Sequence, residues 1–186
     1  DAEADNTLTL TLVDLAAYNL GATTSSTATI PANDTVVTNT NDSGDGSLRQ
    51  AVTNANTFAG ADTISFSGVA SPINISTELP ISSDITFNGT GITVDNTGTG
   101  RVFNITGGTV IINGLTITGG DSALGAGISI TGGSLTLQNG VTVTGNAAGT
   151  TSGNRGSGLA AGGGAQVLIT GSGTAITGNG PSWGGG

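Results

Sequence analysis

The octad Asn113-Gly-Leu-Thr-Ile-Thr-Gly-Gly120 returns as Asn139-Gly-Val-Thr-Val-Thr-Gly-Asn146 and again, more loosely, as Ser172-Gly-Thr-Ala-Ile-Thr-Gly-Asn179. Ile117, Val143 and Ile176 hold equivalent places in the three copies, and the second interval is longer than the first. A second series, Gly107-Gly-Thr-Val-Ile-Ile, Gly132-Gly-Ser-Leu-Thr-Leu and Gly163-Gly-Ala-Gln-Val-Leu-Ile, shows the same lengthening from its first interval to its second. Both series lengthen over the same stretch, which places an insertion in the region 149–156. Upstream, Ile92-Thr-Val94 precedes Leu115-Thr-Ile117 by a slightly shorter interval. Short apolar couplets at a period of roughly 20–30 residues cannot bury themselves within one unit; each must stack on the copies before and after it. The expected architecture is a β-solenoid.

The drifting period points to corners that tolerate insertions, whereas left-handed hexapeptide helices keep a stricter repeat. We therefore expect an all-β chain whose residues 63–186 form a right-handed parallel β-helix. The inward residues are expected to be Ile64, Phe66, Ile85, Phe87, Ile92, Val94, Val102, Phe103, Ile105, Val110, Ile112, Leu115, Ile117, Ile128, Ile130, Leu135, Leu137, Val141, Val143, Val167, Ile169 and Ile176. Composition agrees with thin layers of this kind: 34 of the 186 residues are Gly, 3% are aromatic and Met is absent. The Gly-Gly and Asn-Gly dipeptides suit corners at positive φ, and stacked Asn side chains can hydrogen-bond from turn to turn.

Two other segments precede the repeats. In residues 35–62, Ser47 precedes Leu48, Ala51, Val52 and Ala55 at helical spacing, with Gln50 placed to complete a capping box. A short one-sided helix follows, laid against the open end of the stack. The residues Ser47, Leu48, Arg49, Gln50 and Ala51 resemble the N-terminal cap of bacterial surface β-helix proteins that carry a Cys-Ser-Leu-Arg-Glu-Ala-like motif. Here the Cys position is Gly46 and the acidic position is Gln50, so the resemblance implies a capping role without a thiol or an Arg–Glu pair. In residues 1–34, Leu8, Leu10 and Leu12 alternate with Thr, with Leu15 as a further apolar residue of the run, and Thr27-Ala-Thr-Ile30 alternates after a turn-like stretch at 19–21. This half-buried hairpin needs a sheet to join. It resembles the last two strands of a Calx-β domain, which implies that the rest of such a domain lies upstream in a longer precursor.

Composition narrows the function. Three Arg oppose twelve acidic residues, a net charge of -9, which disfavours nucleic acid and anionic membrane surfaces as partners. No run of about 18 apolar residues exists, so no membrane insertion is expected. With neither Cys nor His, thiol chemistry and the usual near-neutral proton carrier are missing. Glycoside hydrolysis needs two neighbouring carboxyl groups; in the solenoid Glu78, Asp84, Asp95 and Asp121 occupy non-equivalent positions, and Asp95 aligns with Thr118. The stretch Asn41-Asp-Ser-Gly-Asp-Gly46 is loosely like a calcium loop, yet Val52 stands where an EF-hand needs its bidentate carboxylate. We read Asp42 and Asp45 as a polar turn and Arg155 as a solvated loop charge.

The expected reading is therefore a non-enzymatic structural or adhesive segment of a large secreted or cell-surface protein. It has no catalytic, metal or cofactor residues, and its partners are neighbouring domains of the same chain or further copies of itself. Head-to-tail assembly into an extracellular fibre is the boldest form of that reading. The alternative is a β-helix that binds or cleaves extracellular polysaccharide. A third class, ice binding, would need a flat Thr-rich face; Thr116 with Thr142, and Thr118 with Thr144 and Thr177, form ladders that the drifting period is expected to keep short.

Overall fold

The computed structural model describes residues 6–12, 24–30, 35–58, 60–148 and 156–181. Strands β1 (Asn6–Thr11) and β2 (Ser25–Ile30) pair antiparallel and form a sheet of their own. Then come β3 (Val36–Val37) and helix α1 (Leu48–Thr57). The first turn of the coil is β4 (Ala61–Phe66), β5 (Ile73–Ile75) and β6 (Leu79–Ile81). The second is β7 (Asp84–Asn88), β8 (Thr93–Asn96) and β9 (Phe103–Ile105), and the third is β10 (Thr109–Asn113), β11 (Thr116–Thr118) and β12 (Ile128–Ile130). The fourth holds β13 (Ser134–Gln138), β14 (Thr142–Val143), a corner strand β15 (Ala147–Ala148) and β16 (Leu159–Ala161). Strands β17 (Gln166–Ile169), β18 (Ala175–Ile176) and β19 (Gly180–Pro181) begin a fifth.

Equivalent strands stack in parallel into a six-stranded sheet (β3, β4, β7, β10, β13, β17), a five-stranded sheet (β5, β8, β11, β14, β18) and a four-stranded sheet (β6, β9, β12, β16). The chain is thus a three-sided parallel β-helix, with β15 and β19 paired at one corner. Its parallel connections fall under the crossover rule that favours the right hand. Isoleucine, valine and leucine fill the interior in columns, such as Ile64–Phe87–Ile112–Leu137 and Val94–Ile117–Val143. Pleating sends alternate residues to solvent, which is why Thr and Asn interleave with the aliphatics.

Most of the expected inward residues are fully buried. Phe66, Ile92 and Val167 are only half-buried against the core. Ile169 and Ile176 are corrections: they continue the inward columns of Leu137 and Val143 but are 47% and 37% exposed, because no described strand lies beyond β17 and β18 to cover them. The lengthening falls between Val143 and Leu159, where the repeats place it. Its residues 149–155, including Arg155, lie outside the described residues, as do Leu15 and the turn at 19–21. One alignment also shifts: strand register pairs Asn113 with Gln138, so Asn139 belongs to the corner.

The hairpin is a further correction. Leu8, Leu10 and Leu12 are 64%, 67% and 52% exposed, so this stripe is not half-buried. Among the described residues the two strands pair only with each other, and a ribbon of two has no second layer to receive a face.

The cap explains why Gly stands before Ser47. Gly46 has φ +72, and a Cβ there would strike Thr38 Oγ1 and Asn39 Nδ2. The Gly46 carbonyl meanwhile accepts the amides of Thr38 and Asn39. A Gly46→Ala variant should therefore lose roughly 1–3 kcal/mol from backbone strain, read as a lowered thermal midpoint. A midpoint indistinguishable from wild type would show that the turn has another conformation.

Candidate functional site

Helix α1 lies across the first turn and buries Leu48, Ala51, Val52 and Ala55. Ser47 caps it, accepting the Gln50 amide at 3.1 Å, but the capping box is half-formed. Gln50 turns along the helix to Asn54 at 2.8 Å, and the Ser47 amide goes to the Gly44 carbonyl instead.

The polar side chains of the cap bind the exposed edge of β6, outermost strand of its sheet. Arg49 donates to the carbonyls of Thr77 (2.8 Å) and Glu78 (3.0 Å) while pairing with Asp42 Oδ1 at 2.8 Å. Asp42 Oδ2 accepts the Ser76 hydroxyl and amide. At the far side of β6, Asn56 donates to the Pro80 carbonyl at 2.8 Å and accepts the Ser82 amide at 2.9 Å. Pro80 itself has no N–H to leave unpaired. The helix thus satisfies the edge much as a strand would, and the Arg of the motif is joined to Asp42 and two carbonyls instead of to position 50.

Asp42 ionises below its ordinary value of 3.8: partial burial is the largest single influence and opposes the charge, but the Ser76 hydroxyl, the hydrogen bond and charge of Arg49 and the Ser76 amide together outweigh it. Both its oxygens are engaged, one by Arg49 of the cap and the other by Ser76 of the first turn. Among the described residues no three His, Cys, Asp or Glu side chains gather as a metal site would require.

The solenoid carboxylates are dispersed among separate tasks. Glu78 accepts Arg101 at 3.0 Å and Asn104 at 2.8 Å, tying two turns of the four-stranded side together. Arg101 Nε is buried without a partner among the described residues. Asp84 accepts the Thr109 amide at 2.7 Å, Asp95 lies beside Thr118 in register, and Asp121 exchanges backbone hydrogen bonds with Gly100.

Two amide ladders run along the axis. Asn146, 1% exposed, donates to the carbonyls of Ile117 and Thr144, accepts the Gly120 amide, and meets Asn179 Oδ1 at 2.9 Å. Gly120 holds the equivalent place one turn earlier because a Cβ there would enter the Ala126 carbonyl. The second ladder is more open. Asn113 donates to Asn88 Oδ1 (3.0 Å) and the Phe87 carbonyl, and its own Oδ1 accepts from Gln138 (3.0 Å) and Asn139 (2.7 Å).

This second ladder floors a groove of about 420 Å³ between the six- and five-stranded sides, walled by Phe66, Gly68, Val69 and Ile92, with Asn88, Thr90, Asn113 and Asn139 along it. Sequence reasoning anticipated stacked Asn but not this concavity. Its apolar wall comes from Phe66, Gly68 and Val69 of the first turn, where the repeat is weakest, and from Ile92 of the second.

On the five-stranded face, Thr93, Thr116 and Thr142 form one outward column, and Thr118 stands beside Asp95 in the other. The insertion does not disturb this face, so the period is a poor guide to the ladder length. What bounds the Thr columns is chemistry: Ala175 follows Thr142 in one, and Asp95 stands before Thr118 in the other. Freezing-point measurements should accordingly show no thermal hysteresis, and a clear gap between melting and freezing would make the Thr columns a functional face.

No helix among the described residues is long and apolar enough to cross a membrane. No family model, no curated protein and no solved structure matches this chain.

Proposed function

We propose that this chain is a non-enzymatic structural and adhesive segment of a large secreted or cell-surface protein. The observation that carries the reading is the use made of its polar side chains. Arg49, Asp42, Glu78, Arg101 and Asn146 hold one turn, or the cap, to the next. The resemblance of the cap to that of bacterial surface β-helix proteins, and of the hairpin to the end of a Calx-β domain, supports an extracellular bacterial setting. So does a surface kept wet by Thr, Ser and Asn with 8% charged residues. Incubation with neutral and acidic polysaccharides should release neither new reducing ends nor unsaturated products. Release of either would replace this reading with a polysaccharide-cleaving one.

The exposed Leu8, Leu10 and Leu12 stripe favours a covering partner. We assign that role to neighbouring domains of the parent chain; strand donation to a second copy, building a fibre, is the alternative. Electron micrographs of a chain lacking residues 1–34 separate them. Fibres formed by the full chain and lost on deletion, with the β-sheet circular dichroism retained, would establish donation.

A further inference from the structure

The groove over the open amide ladder has hydrogen-bonding capacity that the fold leaves unused. Asn113 is saturated, with both N–H groups and both carbonyl lone pairs engaged. That saturation fixes the orientation of its neighbours: Asn88 gives its oxygen to Asn113, leaving its NH2 outward, and Asn139 gives its NH2, leaving its oxygen outward. With the Thr90 hydroxyl, the groove offers donor, donor-acceptor and acceptor groups beside the apolar wall of Phe66 and Ile92. Asn88, Thr90 and Asn139 are all exposed.

Backbone conformation adds a second observation. Asn139 is the one non-Gly residue at positive φ among the described residues, at 56°, although glycine would meet that conformation with less strain. Its amide is held in the ladder at the groove's margin.

We propose that this groove binds a neutral glycan segment lying along the solenoid axis. A mixture of donors and acceptors matches the hydroxyls of a sugar, and an apolar wall matches its C–H face. Among the described residues no charged side chain lines the groove, so none of them compensates the carboxylate of an acidic polysaccharide, which the net charge of -9 also repels. The residues come from four successive turns, and at about 4.8 Å per turn the length suits a short oligosaccharide more than a single sugar. This proposal rests on the adhesive reading above and names its ligand class.

The test is titration of the intact chain with neutral trisaccharides of glucose, mannose and galactose and with trigalacturonic acid, followed by amide chemical shifts. At least one neutral trisaccharide should shift residues of the groove, and the acidic one should not. Two variants keep the backbone content: Thr90→Val removes one exposed hydroxyl, and Asn139→Gly suits the positive φ. Each should weaken binding about tenfold with the circular dichroism and thermal midpoint unchanged. Absence of shifts with every neutral sugar, equal binding of trigalacturonic acid, or full affinity in both variants overturns the proposal. The same samples are assayed for new reducing ends. Cleavage would defeat the non-enzymatic reading, whereas absence of both binding and cleavage defeats the glycan site alone.

Discussion

Phe87→Ala should destabilise the chain by about 3–5 kcal/mol, the usual range for truncating a fully buried Phe. Phe87 is wholly buried between Ile64 and Ile112 in its column, and its ring lies 5.4 Å from that of Phe103 at a tilt of 54°. In so aromatic-poor a core the neighbours are aliphatic side chains on fixed strands, with little freedom to collapse into the space. The gap would open in the second turn, between the layers of Ile64 and Ile112. Urea unfolding should show a lower midpoint. Leu168→Ala, at a side chain 56% exposed on the outer face, should stay within about 0.5 kcal/mol and serves as the control. Equal losses in the two variants would mean that the inward column is not the one described.

Arg49→Met should cost about 2 kcal/mol, most of it from the Thr77 and Glu78 carbonyls that lose a charged donor. The ion pair adds little, since the Arg49 and Asp42 side chains retain 23% and 34% of their exposure. Amide hydrogen exchange should accelerate in α1 and β6 and remain unchanged in the fourth turn; uniform acceleration would contradict a local clamp. Acid adds a separate signature. Because Asp42 ionises more readily when folded, its stabilising contribution is complete above the ordinary value of 3.8 and is lost as pH falls through the lower folded value. Removing the cation raises that folded value toward the unfolded one. The variant's stability should therefore depend less on pH across the acid range than the wild type's.

The later turns were legible because they repeat. Gly-Gly and Asn-Gly pairs mark the corners from Gly107 onward, and the aliphatic couplets between them give both strand and facing. The first turn has no such punctuation. Ile73, Ile75, Leu79 and Ile81 are fully buried, yet Pro72 and Pro80 interrupt a strand-like pattern, so these strands were not anticipated. Pro80 instead marks a covered edge. The helix was readable from Ser47 and its apolar stripe, whereas the partners of Arg49 were not: Asp42 lies nearby but across an irregular turn, and the Thr77 and Glu78 carbonyls stand far along the chain, where only coiling brings them to the helix. Asn139 and Asn146 show a subtler limit. They are the same residue at opposite ends of one octad, but the first is exposed at a groove and the second sealed inside a corner, a difference set by the next turn's path.

The cap also has a consequence for how such a chain is made. It occupies the N-terminal side, so during synthesis it emerges before any turn that needs it. Its helix carries the bonds that β6 requires, and the register from β7 to β10 to β13 advances in equal steps, from Ile85 to Val110 to Leu135. Each of these regular turns thus closes a loop of constant length onto a surface already formed, and only the step from Leu135 to Val167 is longer. Loop-closure entropy depends on that length and not on the number of turns already laid down. For the regular turns the hardest step of folding is therefore no harder at the last than at the first, and a ribosome could lengthen such a rod without slowing its assembly.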